Sequence, residues 1–150
     1  MDGFHYDDQI LKEKKLLLKK GAPETFDVMG LINFLSRLYK EEEVAIPIFD
    51  RSLELSRSSA AIISKNTKVI ILEGNYILLN NYPWKELHKF FNSTVIINCE
   101  EKVLEKRLIE RWEKFNLPKE EIKEKVYKND LPNGVNVLKN SIKADYILEN

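Results

Sequence analysis

The stretch Val69-Ile70-Ile71-Leu72-Glu73-Gly74-Asn75-Tyr76 decides how the rest of the chain is read. Four consecutive apolar residues, three of them β-branched, follow a Lys65-Asn66-Thr67-Lys68 turn and run directly into an acid. A short unbroken apolar run between turn signals suits a strand buried on both faces, as in a parallel sheet. The pattern therefore predicts a strand over 68–72. An acid at its exit, followed by glycine, stands where open α/β sheets hold their ligands, beyond the carboxyl ends of the strands. The plainer alternative is a strand that ends in any polar residue before a loop.

Downstream, Pro83 at a first helical turn predicts a short helix to Phe91, and Thr94 to Asn98 reads as a second buried-type strand. Glu100 to Phe115 is an amphipathic helix with Val103, Leu104, Leu108 and Trp112 on its apolar stripe. Pro118 opens a further helix to about Lys128. Asn129 to Gly134 is a turn cluster, a short helix follows over Val135 to Ile142, and Ala144 to Leu148 is a last strand. Upstream, Asp7 to Lys20 has helical composition, with acids early and bases late, and Gly21 then Pro23 stop it. Asp27 caps a helix through about Tyr39, with Leu31, Phe34, Leu35 and Leu38 on one face. Val44 to Phe49 is extended but demoted to edge or loop by Pro47, and Ser52 to Ser64 is ambiguous. Strands alternating with helices, with no internal repeat, predict one α/β domain over 1–150 with a parallel sheet.

The totals narrow the function classes. With 24 basic and 24 acidic residues in 150, there is no overall field to favour nucleic acid or an anionic membrane. Cys99 is the lone cysteine, so no intrachain disulfide framework exists and a reducing cytoplasm is the natural home. No apolar run approaches the roughly 18 residues of a spanning helix. Two histidines and one cysteine make no structural zinc site.

Taken singly, the polar candidates have ordinary explanations. Asp2-Gly3-Phe4-His5 sets an acid and an imidazole beside a glycine, a combination that also occurs in plain turns. Lys19-Lys20-Gly21-Ala22-Pro23-Glu24-Thr25-Phe26-Asp27 either holds an anion or is a helix stop followed by an N-cap. Asp50-Arg51 is by local logic a surface ion pair. Arg107 and Arg111, one helical turn apart, either clamp phosphate oxygens or pair with Glu105 and Glu110.

Together they stop looking independent. Asp-Gly-Phe-His at 2–5, Lys-Gly-Ala-Pro-Glu-Thr-Phe-Asp at 20–27, Pro-x-Phe-Asp-Arg at 47–51, Leu-Glu-Gly-Asn-Tyr-x-Leu-Leu at 72–79, Arg-Leu-x-x-Arg at 107–111 and Asn-Asp-Leu-Pro-Asn-Gly at 129–134 follow in order. The series resembles the phosphoribulokinase/uridine kinase family of P-loop kinases, closest to its bacterial uridine kinase-like or fructose-transport-associated branch, with pantothenate kinases more distant. The resemblance implies a three-layer α/β/α fold of P-loop NTPase type and a kinase that moves phosphate from ATP, with Mg2+, to a hydroxyl of a small metabolite such as a nucleoside or sugar. By that resemblance Asp2 orients or deprotonates the attacking hydroxyl, and Glu73 sits near the metal. Arg107 and Arg111 belong to a lid that reaches the nucleotide's transferring phosphate. Lys20, Glu24, Asp27, Asp50 and Arg51 line the acceptor side, with His5 and Tyr76 nearby. Phosphoryl transfer needs mainly positioning, a metal and cations against the developing charge, which such a set supplies.

The match fails at one place. The family's phosphate loop is Gly-x-x-x-x-Gly-Lys-Ser/Thr, and none of the five glycines here is followed by Lys-Ser or Lys-Thr. In relatives that loop precedes the Asp-Gly-Phe-His segment, so Met1 falls near the end of the family's second strand. The family's first strand lies mid-sheet, between the strands matching 68–72 and 94–98. Its loss leaves two buried-type strands facing a gap, at about 1–3 kcal/mol for each buried unpaired backbone group, and opens a route to self-association. The expectation is an N-terminally truncated kinase, ahead of a split gene or a decayed remnant. The alternative function is a non-catalytic metabolite- or partner-binding module.

Overall fold

A computed structural model describes all 150 residues, Met1–Asn150. Helix α1 (Asp8–Glu13) is capped by Asp7, whose carboxylate accepts from the Gln9 amide at 2.8 Å. It is shorter than the helix expected over 7–20, because Lys15 takes a positive φ of 58° and the chain continues as a 3₁₀ turn, Leu17–Lys19. Helix α2 (Val28–Leu38) starts as its sequence says: the Asp27 side chain accepts from the Gly30 amide at 2.8 Å. It buries Val28, Leu31, Ile32, Phe34 and Leu35.

Strands β1 (Glu43–Asp50) and β2 (Leu55–Ser64) form an antiparallel hairpin. The first is the extended edge piece its sequence indicates, and the ambiguous stretch 52–64 supplies the second. Pro47 does not end β1; it sits where the register shifts between Ile46 and Ile48, an irregularity that spares the ladder the missing N–H. The Ser-rich β2 is held by its ladder to β1 despite its polarity. The Asp50 carboxylate closes the turn, accepting from the Ser52 amide at 3.0 Å and its hydroxyl at 2.6 Å.

The core lies where α2 meets the hairpin and the segment that follows residue 75. Phe26, Leu31, Val44, Tyr76, Leu79, Trp84 and Leu87 belong to one buried cluster. Trp84 and Leu87 come from a 3₁₀ helix, Trp84–Phe90, in the place of the short helix expected over 83–91.

The expected inner strand is the main correction. Residues 68–72 run without any strand partner, and no backbone N–H from 68 to 74 donates a hydrogen bond. Val69 is 76% and Ile71 87% exposed. An apolar run becomes a strand only with a backbone to pair with, and no residue of the chain pairs its backbone with 68–72. The second strand is present as β3 (Val95–Asn98), paired parallel with β4 (Tyr146–Glu149). Here too, burial was expected and Val95 is 51% and Ile97 61% exposed. The α/β class and parallel pairing hold. The strands form two separate pairs, where a parallel sheet lacking its first, central strand was expected.

Helix α3 (Glu101–Lys114) lies near its expected bounds and packs against α4 (Lys119–Lys125) and α5 (Leu131–Asn140). A turn was expected over 129–134. The chain instead passes from α4 through a π-helical turn, Val126–Asp130, straight into α5, with Pro132 directly after that turn.

Candidate functional site

The 3₁₀ turn Asp2–Phe4 lies against the hairpin because Gly3 has no side chain: a Cβ there would meet the Pro47 carbonyl, with its carbon at 2.8 Å. The Ser56 hydroxyl donates to the Gly3 carbonyl and ties the turn to β2. Asp27 N donates to Phe4 O at 2.8 Å and Tyr6 N to Thr25 O at 3.0 Å, joining the turn to the 20–27 loop. That loop turns on Gly21, whose φ of +96° suits glycine, and on Thr25, fully buried with its hydroxyl donating to Ala22 O at 2.7 Å.

These contacts gather a polar site around the Phe49 ring. The Arg51 guanidinium lies 5.8 Å from the ring centroid and donates to Asp2 Oδ2 at 2.7 Å. Lys20 Nζ lies 5.7 Å from the same centroid, pairs with Asp8 at 2.7 Å and donates to Glu54 O at 2.8 Å. The His5 ring stands 5.1 Å from Phe49 and 3.9 Å from Phe26, with Nδ1 2.9 Å from Asp2 O. Burial pushes the His5 pKa below its ordinary value, against the raising effect of the Asp2 carbonyl and carboxylate. Ser52 donors, with the Leu53 amide and Arg57, hold the Asp50 carboxyl below the usual range. Asp50 therefore fixes the turn that presents Arg51.

Of the residues expected to act together, Asp2, His5, Lys20 and Arg51 converge. Glu73 joins their neighbourhood through the chain terminus: the Met1 amine donates to Glu73 O at 2.6 Å. Glu24 pairs with Lys19 at 3.7 Å. Asp27 is engaged as the α2 cap, so the ordinary explanation holds for it. Tyr76, expected near the acceptor side, is a core residue, 3% exposed, with its hydroxyl donating to Gly21 O at 2.6 Å. Burial raises its pKa far above the ordinary value, with the Asp130 and Glu24 charges adding to the effect. It serves the site by holding the Gly21 turn.

The two arginines make contacts of their own near the end of the chain. Arg107 donates to Asn150 Oδ1 at 3.4 Å and approaches Cys99 Sγ at 3.8 Å, at the carboxyl ends of β3 and β4. Arg111 lies over the Trp112 ring at 5.5 Å. The expected pairing with Glu105 and Glu110 does not form: Glu105 accepts from Tyr127 and Glu110 pairs with Lys106.

Three participants went unnamed in the sequence. Phe49 stands inside Pro-x-Phe-Asp-Arg, where only the polar members drew attention. Asp8 read as a helix-dipole acid, yet it holds Lys20. Asp130 sits within the Asn-Asp-Leu-Pro-Asn-Gly motif and accepts from Trp112 Nε1 at 2.6 Å and from Asn129 at 3.1 Å.

No group of three His, Cys, Asp or Glu side chains is placed to hold a metal ion. No Gly-x-x-x-x-Gly-Lys-Ser/Thr loop is among these 150 residues.

No protein-family model matches the chain. Among individual proteins, it is 34% identical over 149 residues to the uncharacterized Escherichia coli protein YggC, covering 99% of this chain and 62% of that one. It is 31% identical over 158 residues to a candidate uridine kinase of Schizosaccharomyces pombe, covering 99% of this chain and 67% of that one. A Lactococcus lactis pantothenate kinase matches at 29% over 115 residues, 37% of its length. The chain thus spans from about a third to about two thirds of these relatives. Among solved structures, a candidate fructose transport system kinase from a Silicibacter species superposes with a TM-score of 0.91 at 33% identity, over 98% of this chain and 71% of that one. YFH7 of Saccharomyces cerevisiae, a candidate P-loop kinase with a circular permutation, superposes with a TM-score of 0.82 at 25% identity, over 100% of this chain and 56% of that one.

Proposed function

This chain belongs to the uridine kinase-like family of P-loop kinases, and from that premise we propose that it carries the acceptor half of an ATP-dependent kinase for a hydroxyl on a small metabolite, such as a nucleoside or sugar. The observation that carries the reading is the gathering of Asp2, Arg51, Lys20 and His5 around Phe49. Asp2 Oδ2 is held by Arg51, while Oδ1 has no protein donor. An acceptor hydroxyl fits against Oδ1, which takes its proton as transfer proceeds. Arg51 keeps the carboxylate aimed, and Lys20 supplies a second cation on the other contact to the ring. The half-buried Phe49 ring supplies the apolar part of the surface an acceptor would meet.

The phosphate-holding loop and the strand before it belong, in this reading, to residues beyond these 150. Magnesium-ATP accordingly binds residues 1–150 weakly or not at all. Calorimetry with a panel of nucleosides and sugars should give saturable heat for one class, lost in Lys20→Ala and Arg51→Ala, with little heat for magnesium-ATP. Joined to the unmatched part of the Silicibacter kinase, the chain should transfer label from ATP, and Asp2→Asn should slow that transfer about 10²–10⁴-fold. Tight magnesium-ATP binding by residues 1–150 alone, or no acceptor in the panel, overturns the reading. A second reading, a non-catalytic metabolite- or partner-binding remnant, is favoured by the lack of a phosphate cradle. It requires acceptor binding with no transfer in the joined protein.

A further inference from the structure

We infer that the acceptor is an uncharged polyhydroxy compound, placing one hydroxyl on Asp2 Oδ1 and a second on His5 Nε2, and that metabolites bearing a carboxylate or phosphate are refused. The inference rests on the acceptor reading and narrows it to one chemical class. His5 supplies the first half of the argument. Its Nδ1 lies 2.9 Å from the Asp2 carbonyl oxygen. A carbonyl only accepts, so Nδ1 carries the proton and the neutral ring presents a bare lone pair at Nε2. That nitrogen has no protein partner and is not sealed from solvent. Burial lowers the ring's pKa below 6.5, so it stays uncharged at neutral pH. Asp2 Oδ1 is the other unpartnered acceptor, since Arg51 holds only Oδ2. Both stand beside one ring: His5 lies 5.1 Å from the Phe49 centroid, and the Arg51 that holds Asp2 lies 5.8 Å from it. Two acceptors without donors call for a ligand that brings two O–H groups, whereas a carboxylate or phosphate brings further acceptors.

The cations supply the second half. Every Lys and Arg of the 19–27 loop and of the hairpin turn over 49–57 is matched to a carboxylate of its own. Lys19 pairs with Glu24 at 3.7 Å, Lys20 with Asp8 at 2.7 Å, Arg51 with Asp2 at 2.7 Å and Arg57 with Asp50 at 3.3 Å. Lys20 also donates to Glu54 O at 2.8 Å, which leaves its ammonium a single free N–H. An anion that reached Lys20 or Arg51 would displace Asp8 or Asp2 and then lie beside the carboxylate it displaced. A site for an anionic metabolite needs a cation left over, and this one has none. A nucleoside, a free sugar or a sugar alcohol meets both conditions. A sugar acid or a sugar phosphate fails the second.

The test is calorimetry on residues 1–150 at about pH 7.5 with pairs of compounds that differ mainly in charge. Suitable pairs are glucitol and gluconate, fructose and fructose 6-phosphate, pantothenol and pantothenate, and uridine and its 6-carboxylate, orotidine. The neutral member of one pair should bind saturably, and its charged partner at least about tenfold more weakly. Asp8→Asn leaves Lys20 without its carboxylate, so that ratio should shrink by about threefold or more. Glu113→Gln, an exposed change on α3, should leave the ratio unaltered. Monodeoxy analogues of the neutral binder locate the second hydroxyl. One deoxy position should weaken binding to the unaltered chain and cost nothing further in His5→Phe. In His5→Gln, whose amide oxygen also accepts, part of that penalty should return. A merely structural role for His5 would leave the penalty in place. A charged partner that binds as well as the neutral one overturns the inference and leaves the acceptor site standing. So does a ratio unmoved in Asp8→Asn, or a deoxy penalty that is the same with and without His5. If no member of any pair binds, the acceptor site itself is lost, and the inference with it.

Discussion

The two sides of the molecule spend the same kinds of residue to opposite effect. Around Phe26, α2 and the hairpin, apolar side chains are interleaved and backbone groups are paired, down to the Gly3 contact with Pro47. Around 68–72, β3 and β4, residues just as apolar stand open, Ile71 at 87% and Leu148 at 55% exposed. Composition does not separate the regions; neighbours do. A valine-isoleucine run becomes core only where a second element covers it and pairs its amides.

That contrast gives the largest expected effect. Leu87 is fully buried, so Leu87→Ala should cost about 2–5 kcal/mol in urea unfolding. Ile71→Ala should change stability by less than about 0.5 kcal/mol, because its side chain is already in water. Equal losses for the two would mean that 68–72 is covered in solution, and the contrast would be broken.

A smaller effect tests how the packed side is assembled. Gly3→Ala places a methyl against the Pro47 carbonyl, which is backbone and has little room to move. The cost should be about 1–3 kcal/mol. Acceptor affinity should fall as well, since the turn that carries Asp2 is displaced from Arg51. A fall in stability with affinity unchanged would separate the packing of this turn from the site it carries.

How much of this was legible in the sequence follows the same division. The Asp27 cap, the α2 stripe, α3 and the strand at 95–98 depend on local pattern, and the sequence shows them. The hairpin was obscured because Pro47 and a run of serines are unfavourable alone, and only the β1–β2 ladder makes them acceptable. The turn expected over 129–134 lost to helix continuation, where Asn133 donates to Asn129 at 3.2 Å and Pro132 comes directly after the π-helical turn. Within the site, the charged residues announced themselves by motif. Phe49 and Asp8 did not, because their roles come from distant partners: Arg51 and Lys20 over a ring, and Lys20 on an acid twelve positions away. Tyr76 had the opposite fate, a motif residue drawn into the core by Phe26 and Trp84.

Asp27 sharpens the comparison at the level of a single side chain. As an α2 cap, its replacement by alanine should cost about 1 kcal/mol. Asp27→Ser, which can cap, should recover most of that and leave acceptor affinity unaltered. If Asp27→Ser restores stability while acceptor affinity stays low, the residue touches the acceptor as well.

The smallest effect is a slope in stability against pH, and it reports on the packed side alone. Both histidines, His5 and His88, precede residue 92, so β3, β4 and the helices after them carry none. Burial between Phe26 and Phe49 lowers the His5 pKa below its ordinary 6.5. The unfolded chain then takes up a proton before the folded one does. Stability is fully present above about pH 6.5, declines as pH falls toward the lowered folded value, and levels off below it. His5→Phe keeps a ring in the stack and removes the titrating group, so this part of the slope should vanish. If the slope is unchanged in His5→Phe, the imidazole is solvated in solution, and the contact between the Asp2–Phe4 turn and the hairpin is looser than the packing around it.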